Sequence, residues 1–368
     1  MSYGALSKNA IMSLNKGAKI GNFSHNTGEG SISPYHLKHG GDIIWQIGTG
    51  YFGCRTDDGN FNPDTFKENA TQDVVKMIVI KLSQGAKPGH GGILPAAKLT
   101  AEIAKIRHVP MGQDVVSPPS HSAFSTPTEL LLFVKTLREL SGGKPVGFKL
   151  CIGRHDEFLA ICKAMVETGI TPDFITVDGG EGGTGAAPTE MTNSVGTPIR
   201  DALIFVNNAL IGIGVRDQMR IIAAGKMFSA FHILRAIALG ADTVNSARGM
   251  MLSLGCIQAR TCNTDHCPTG IATQNPSRNK AIVVENKAQR VANFHRETVT
   301  NLVELVGAAG LDGIHQLKPK HISRRVDGVD VKTYAQLYPT IDKACLLDEA
   351  TIPESWKDDW TLANAASW

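Results

Sequence analysis

The chain reads as an α/β protein of the (β/α)8-barrel type. Short apolar runs alternate with longer runs of 3.6-residue periodicity, which is the pattern of βα units laid into a parallel sheet. Polar and glycine-rich residues follow most of the strand-like runs, where a parallel barrel builds its active-site loops. No linker rich in Pro, Ser or charge divides the 368 residues. The number of units favours a barrel over a doubly wound sheet.

In chain order, the predicted strands are Ile43–Ile47, Lys76–Leu82, Val146–Cys151, Phe174–Val177, Arg220–Ala224 and Thr243–Ser246. The predicted helices are Lys8–Lys19, Lys98–Arg107, Thr128–Leu140, Glu157–Thr168, Thr197–Ile213, Ala230–Leu239 and Lys287–Ala309. The expected division is a barrel over 1–317, including a cysteine loop at 255–274, and a peripheral C-terminal extension over 318–368.

With 42% hydrophobic and 19% charged residues, the composition is that of a soluble globular protein. A net charge of +3 without long Lys/Arg runs gives no footprint for nucleic acid or anionic membrane. The longest apolar stretch, Ala202–Val215, contains Asn207 and Asn208 and is too short to span a bilayer. Met1-Ser2-Tyr3-Gly4 has neither the basic nor the apolar region of a signal peptide, so a cytoplasmic location is expected. Seven cysteines in a chain this long point to metal binding or plain burial rather than a disulfide scaffold.

Three of those cysteines, Cys256, Cys262 and Cys267, form C-x5-C-x4-C, with Pro268 after the last. Such a loop suits a soft metal centre, and three ligands point to a [3Fe–4S] cluster. Zinc with His266 as fourth ligand, or a chance cluster of buried thiols, are the alternatives. Two stretches, Gly48–Gly53 and Gly180–Gly185, match G-x-G-x-x-G, and two matches in a chain with 38 glycines show how little that pattern selects. Glycine that lets the backbone approach a flat ring or a phosphate is the preferred reading over a Rossmann site or plain turns. Lys149 and Lys87, at or after strand ends, are placed to hold a flavin, a carboxylate or a phosphate, against the commoner fate of solvated lysine.

Taken together, the chain resembles the FMN-binding synthase domain of glutamate synthases, and more closely its stand-alone relatives. The resemblance runs from Met1 to about Ala309. Its landmarks are Met1–Ser7, Asn26-Thr27-Gly28-Glu29-Gly30, Gln84-Gly85-Ala86-Lys87-Pro88-Gly89, Ser117-Pro118-Pro119, Gly182–Ala186 and Cys267–Gln274. It implies a (β/α)8 barrel with FMN at its C-terminal mouth and a [3Fe–4S] cluster on Cys256, Cys262 and Cys267. The same resemblance puts the flavin on Ser2, Tyr3 and Gly4, with Lys149 near its ring and Gly182 and Gly183 around it. Amides near Gly225 and Ala247 become phosphate donors, and Glu29, Lys87 and Arg107 hold 2-oxoglutarate.

The sequence departs from the family where Ile93 replaces a glutamine and His90 a glutamate, which implies a reshaped 2-oxo acid. The activity implied is reductive amination of a 2-oxo acid with ammonia, the electrons coming from a ferredoxin or a reductase subunit. An N-methylglutamate synthase-like subunit and a flavin/iron–sulfur relay are the rival readings. No cysteine precedes Cys54 to act as an N-terminal amidotransferase nucleophile, so ammonia is expected free or from a separate subunit, and glutamine is expected to be inert.

Overall fold

A computed structural model describes every residue of the chain except Thr184 and Ala186, which belong to the glycine-rich stretch after the fifth strand. Seven strands form one parallel sheet in sequential order: β1 His25–Asn26, β2 Ile43–Ile47, β3 Val75–Lys81, β4 Val146–Leu150, β5 Phe174–Asp178, β6 Arg220–Ala224 and β7 Thr243–Asn245. Strictly sequential parallel order with a helix after each of the longer strands is the barrel arrangement. Among the described residues the eighth strand position holds no strand, and β1 and β7 are the edges of a curled sheet. The segment Met1–Leu6 lies beside β1, with the Met1 amino group donating to the Asn26 carbonyl and Ser2 against Gly28 and Gly30.

The helices that matter for the site are α1 Lys8–Gly21, α2 Pro63–Ala70, α3 Ala101–Arg107, α4 Pro127–Leu140, α5 His155–Thr168, α6 Ile199–Gly212, α7 Ala230–Ala238, α8 Ala247–Leu254 and α9 Val284–Ala308. Their starts are set by caps. Ser7, Thr126 and Ser229 accept from the third residue on at α1, α4 and α7. At α3 the cap is Thr100, so the helix begins at Ala101 and not at Lys98 as the periodicity predicts. Residues Ala96–Lys98 form a separate 3-10 turn and Leu99 is extended, which aims Lys98 away from the helical face. Sequence periodicity does not reveal β1, α2 or α8, which are two, eight and eight residues long.

Strand side chains alternate between two faces. Ile43, Trp45, Ile47, Ile78, Ile80, Val146, Phe148, Ile175, Val177 and Ile221 face the helices and join the main core. Ile44, Met77, Val79, Phe174 and Ile222 face inward and pack as a plug. The plug explains Gly147: a Cβ there would lie 2.1 Å from the Phe174 carbonyl oxygen and 2.7 Å from its ring. One pleat further along, Val79 gives way to Lys81, Gly147 to Lys149, and Phe174 to Thr176 and then Asp178. The barrel is apolar at the bottom and ionic at the mouth.

Residues 318–368 carry an exposed hairpin, Ser323–Val326 with Asp330–Thr333. Yet Tyr334, Cys345, Leu346, Ala363 and Ala365 are buried in the main core. Trp356 stacks on Phe205, which stacks on His155, and Thr128 donates twice to the Ala365 carbonyl. This segment is strapped across α4, α5 and α6 by packing as well as by hydrogen bonds. Among the described residues no helix is long and apolar enough to cross a membrane.

Candidate active site

Lys81 and Lys149 are direct register partners on β3 and β4. Two ammonium groups on one face repel, and the fold gives each its own carboxylate. Lys81 Nζ lies 2.9 Å from Glu29 Oε1, and Lys149 Nζ 3.0 Å from Asp178 Oδ2. Asp178 is nearly sealed from solvent and also accepts from the Gly85 amide at 3.0 Å. That bond ties the loop after β3 to the end of β5. The two loops touch so closely that a Cβ on Gly85 would fall 1.6 Å from the Gly179 carbonyl oxygen.

Glu29 sits in a cradle of backbone, with Gly48 and Gly92 so near its carboxylate that a Cβ on either would come within 2.8 Å of an oxygen. Burial raises its pKa, but Lys81, Arg107 and Lys87 together outweigh burial and hold the carboxyl below its ordinary range. Lys87 is buried and donates to the Gly91 carbonyl at 2.8 Å; burial and the neighbouring Lys81 lower its pKa. Arg107, the last residue of α3, is sealed beneath the Phe52 ring at 5.1 Å and donates to the Tyr3 carbonyl at 3.2 Å. Its Nε has no partner, and burial lowers its pKa to about 10. Three cations therefore converge on one carboxylate. The predicted trio Glu29, Lys87 and Arg107 comes together, and Lys81 joins it.

A small cleft above this cluster is lined by Glu29, Thr49, Lys81, His90 and Pro118. His90 faces it, whereas Ile93 lies on an outer two-residue ribbon with Val116 and is 47% exposed. Of the two positions that depart from the family, only His90 borders the cleft. A larger surface groove of about 570 Å³ between α7 and α9 contains none of these residues.

The Lys81 strand end is fixed from behind by His121. A carbonyl only accepts, so His121 Nε2 donates to the Lys81 oxygen at 2.9 Å, which leaves Nδ1 to accept from the Tyr51 hydroxyl at 3.0 Å. The same hydroxyl accepts from the Ala123 amide. Burial lowers the His121 pKa to about 4, so the ring is neutral. Gln84, after β3, is buried with Nε2 unpartnered.

Gly182 donates to the Gly179 carbonyl at 2.7 Å, and Gly183 lies against Ala86 with φ +120°, a conformation that glycine adopts freely. Gly225 follows β6 beside the Gly179 amide. Ala247 opens α8, so its amide is among those without an intrahelical partner. The Tyr3 hydroxyl turns away, donating to Glu102 at 2.6 Å, and Tyr3 meets this cluster through its carbonyl.

Cys256, Cys262 and Cys267 are half-buried and free. Burial, then the neighbouring Cys267 and Cys256, raise the Cys262 pKa. Burial also raises Cys267, but the Thr269 hydroxyl and the amides of Ala272, Thr269 and Ile271 outweigh it and leave that thiol below its usual range. Among the described residues no group of three His, Cys, Asp or Glu side chains stands as a ready site for one metal ion. One residue at this loop has no signal in the sequence pattern: Lys98, fully buried, donates to the carbonyls of Ala5, Cys262 and Ala272.

A profile described as a conserved region in glutamate synthase matches residues 1–312. The chain belongs to the glutamate synthase family. Over 330 residues it is 45% identical to a glutamate synthase large subunit-like protein of Bacillus subtilis, covering 89% of this chain and 62% of the relative. It is 36% identical to an archaeal glutamate synthase [NADPH] of Methanocaldococcus jannaschii, covering 90% of this chain and 62% of the relative. This family member thus spans about 62% of the length of these relatives. A solved mandelate oxidase and a flavocytochrome b2 superpose at TM-scores of only 0.47 and 0.49, with 15% and 13% identity. They cover 88% and 84% of this chain and 75% and 63% of their own, and the strand order described above, not these likenesses, identifies the barrel.

Proposed function

We propose that this chain is a glutamate synthase-type oxidoreductase that reductively aminates a dicarboxylic 2-oxo acid, 2-oxoglutarate or a close analogue, with ammonia. The observation that carries this reading is the surplus of buried positive charge at the mouth: Lys81, Lys87 and Arg107 face the single carboxylate Glu29. Buried charge is costly unless paired. Two uncompensated cations are what a doubly charged acid would neutralise, and an electron-relay subunit would have no use for them.

The residues present fit FMN. The unpartnered Gln84 Nε2, the Lys149 ammonium and the side-chain-free surfaces of Gly85, Gly179 and Gly225 offer donors and close backbone approach at one end of the sheet. Lys149, Gln84 and the Ser2–Gly4 backbone would hold the ring, and the amides of Gly225 and Ala247 the phosphate. The donor set at Cys256, Cys262 and Cys267 fits a [3Fe–4S] cluster. It consists of three thiols, one already favoured as thiolate by N–H and O–H donors. When bound, the flavin supplies hydride and the cluster supplies single electrons from a ferredoxin or reductase subunit.

The protein's own part is positioning and charge. Lys81 and Lys87 neutralise the substrate carboxylates from the mouth, and Arg107 adds its field from beneath Phe52. Glu29, held ionised by these cations, would accept a proton from the nitrogen as the carbon–nitrogen bond forms and return it to the 2-oxo oxygen, which leaves as water to give the imine. Gly48 and Gly92 lie against the Glu29 carboxylate on one side and leave its other side open to the cleft.

Anaerobic reoxidation of the reduced protein by 2-oxo acids, with and without ammonium, tests the reading. Dicarboxylic 2-oxo acids with ammonium should reoxidise it, and pyruvate should do so far less. Equal rates with mono- and dicarboxylic acids would overturn the charge argument.

A further inference from the structure

Lys98 has no part in the chemistry above, yet at 2% exposure it is the most enclosed lysine among the described residues. An ammonium group has three N–H bonds. Here they meet three backbone carbonyls: Ala5 at 2.6 Å, Cys262 at 3.0 Å and Ala272 at 3.2 Å. The three come from different places, namely the N-terminal segment, the middle of the cysteine loop and its downstream end. Carbonyl oxygens cannot bond to one another, and their converging dipoles repel. A donor with three hydrogens and a positive charge is what allows these segments to meet. Burial lowers the Lys98 pKa to about 8 and Arg107 adds to that, while Asp265, Cys262 and Cys267 favour the charged form.

Neighbouring bonds follow the same line. Gln274 Nε2 donates to the carbonyls of Gly4 at 2.9 Å and Leu6 at 3.0 Å, and the Ser7 amide donates to Ile271 at 2.8 Å. Within the loop, the Gln274 amide and the Thr273 hydroxyl are held by Asp265. The cysteine loop is thus sewn to Gly4–Ser7, with Lys98 at the centre of the seam.

We propose that Lys98 is the positioning residue of the cysteine loop, setting its distance from the N-terminal segment and placing a positive charge beside the sulfurs of Cys262 and Cys267. The charge half rests on the cluster reading above; the pinning half does not. Cluster potential depends on nearby charge and hydrogen bonds, so Lys98 tunes the centre as well as holding it.

Two variants separate the roles. Lys98→Met keeps the stem and removes every donor, whereas Lys98→Gln removes the charge and keeps two N–H bonds. Hydrogen exchange on the metal-free full chain should show amides of residues 261–273 exchanging roughly tenfold faster or more in Lys98→Met. The change should be smaller in Lys98→Gln, and β3 should be unchanged in both. After reconstitution with iron and sulfide, both variants should shift the midpoint potential downward. Unchanged loop exchange in Lys98→Met would overturn the pinning role. If that variant does not fold, Lys98→Gln with exchange equal to the native chain does the same. An unmoved potential in both variants would overturn the charge role. A native chain that takes up no iron would sink the charge role together with the cluster reading, and the exchange result would still decide the pinning.

Discussion

Removing either member of the Glu29–Lys81 pair tests whether the mouth of the barrel carries excess positive charge. The two groups are 2.9 Å apart, with side chains 20% and 8% exposed. Deleting one partner of a buried pair costs about 3–5 kcal/mol. For Lys81→Met the cost should fall below that range, to about 2 kcal/mol. Lys87 and Arg107 still face Glu29, and relief of the Lys81–Lys149 repulsion returns up to about 1 kcal/mol. Glu29→Gln has neither compensation. It leaves three cations around a neutral amide and should cost about 3–5 kcal/mol. In the double variant the neutral amide no longer strands an ammonium at position 81, so a urea-denaturation cycle should give a coupling of about 2 kcal/mol. A dicarboxylate should also raise the melting temperature of Glu29→Gln more than that of the native chain, because it meets one more unpaired cation. A coupling below about 0.5 kcal/mol, or Lys81→Met proving the more damaging single change, would refute the charge count.

Three further outcomes follow from the geometry. His121 is neutral in the folded state with a pKa near 4 against an ordinary 6.5, so the unfolded chain binds the extra proton first. Stability present above pH 6.5 should be lost as pH falls toward 4, by up to about 3 kcal/mol, and His121→Gln should flatten that part of a denaturation-versus-pH curve. An unaltered slope would mean the ring titrates normally. Gly147→Ala should cost about 1–3 kcal/mol or abolish folding, because its Cβ meets the Phe174 backbone as well as the ring; a stability equal to the native chain would show the barrel plug to be loose. Protein purified without oxygen should contain about three iron and one FMN per chain and give the EPR signal of an oxidised [3Fe–4S] centre, and zinc without flavin would sink the cofactor assignment.

Much of the site was legible because its signals are local. The strand end at Lys149 and the loop that holds Lys87 stand where apolar runs stop, and C-x5-C-x4-C is a spacing that needs no fold to be seen. Glu29, Lys87 and Arg107 were readable only through resemblance, since nothing in their spacing marks them as neighbours. What the sequence did not make legible has physical causes. Lys98 continues the helical period of Ala101–Arg107, and only the Thr100 cap and the extended Leu99 remove it from that face. Ile93 sits beside glycines that border the cleft, yet strand alternation buries Leu94 and turns Ile93 outward. The tail beyond 318 is polar overall, and its few apolar residues fall at irregular intervals, so their burial against the main core leaves no periodic trace.

The sequence by itself determined the class of fold and the thiol loop, because alternation of strand and helix periods and the reactivity of clustered cysteines are properties of neighbours along the chain. It also determined that glycine would surround the site. Tertiary structure decided how the charges pair. Lys81 meets Glu29 and Lys149 meets Asp178 because β3, β4 and β5 lie side by side in parallel, with the Glu29 loop above them. Which carboxylate balances which ammonium depends on register between segments up to 93 residues apart, as at the Gly85–Asp178 bond. Electrostatic energy falls with distance in space rather than along the chain, so this balance exists only in the folded protein.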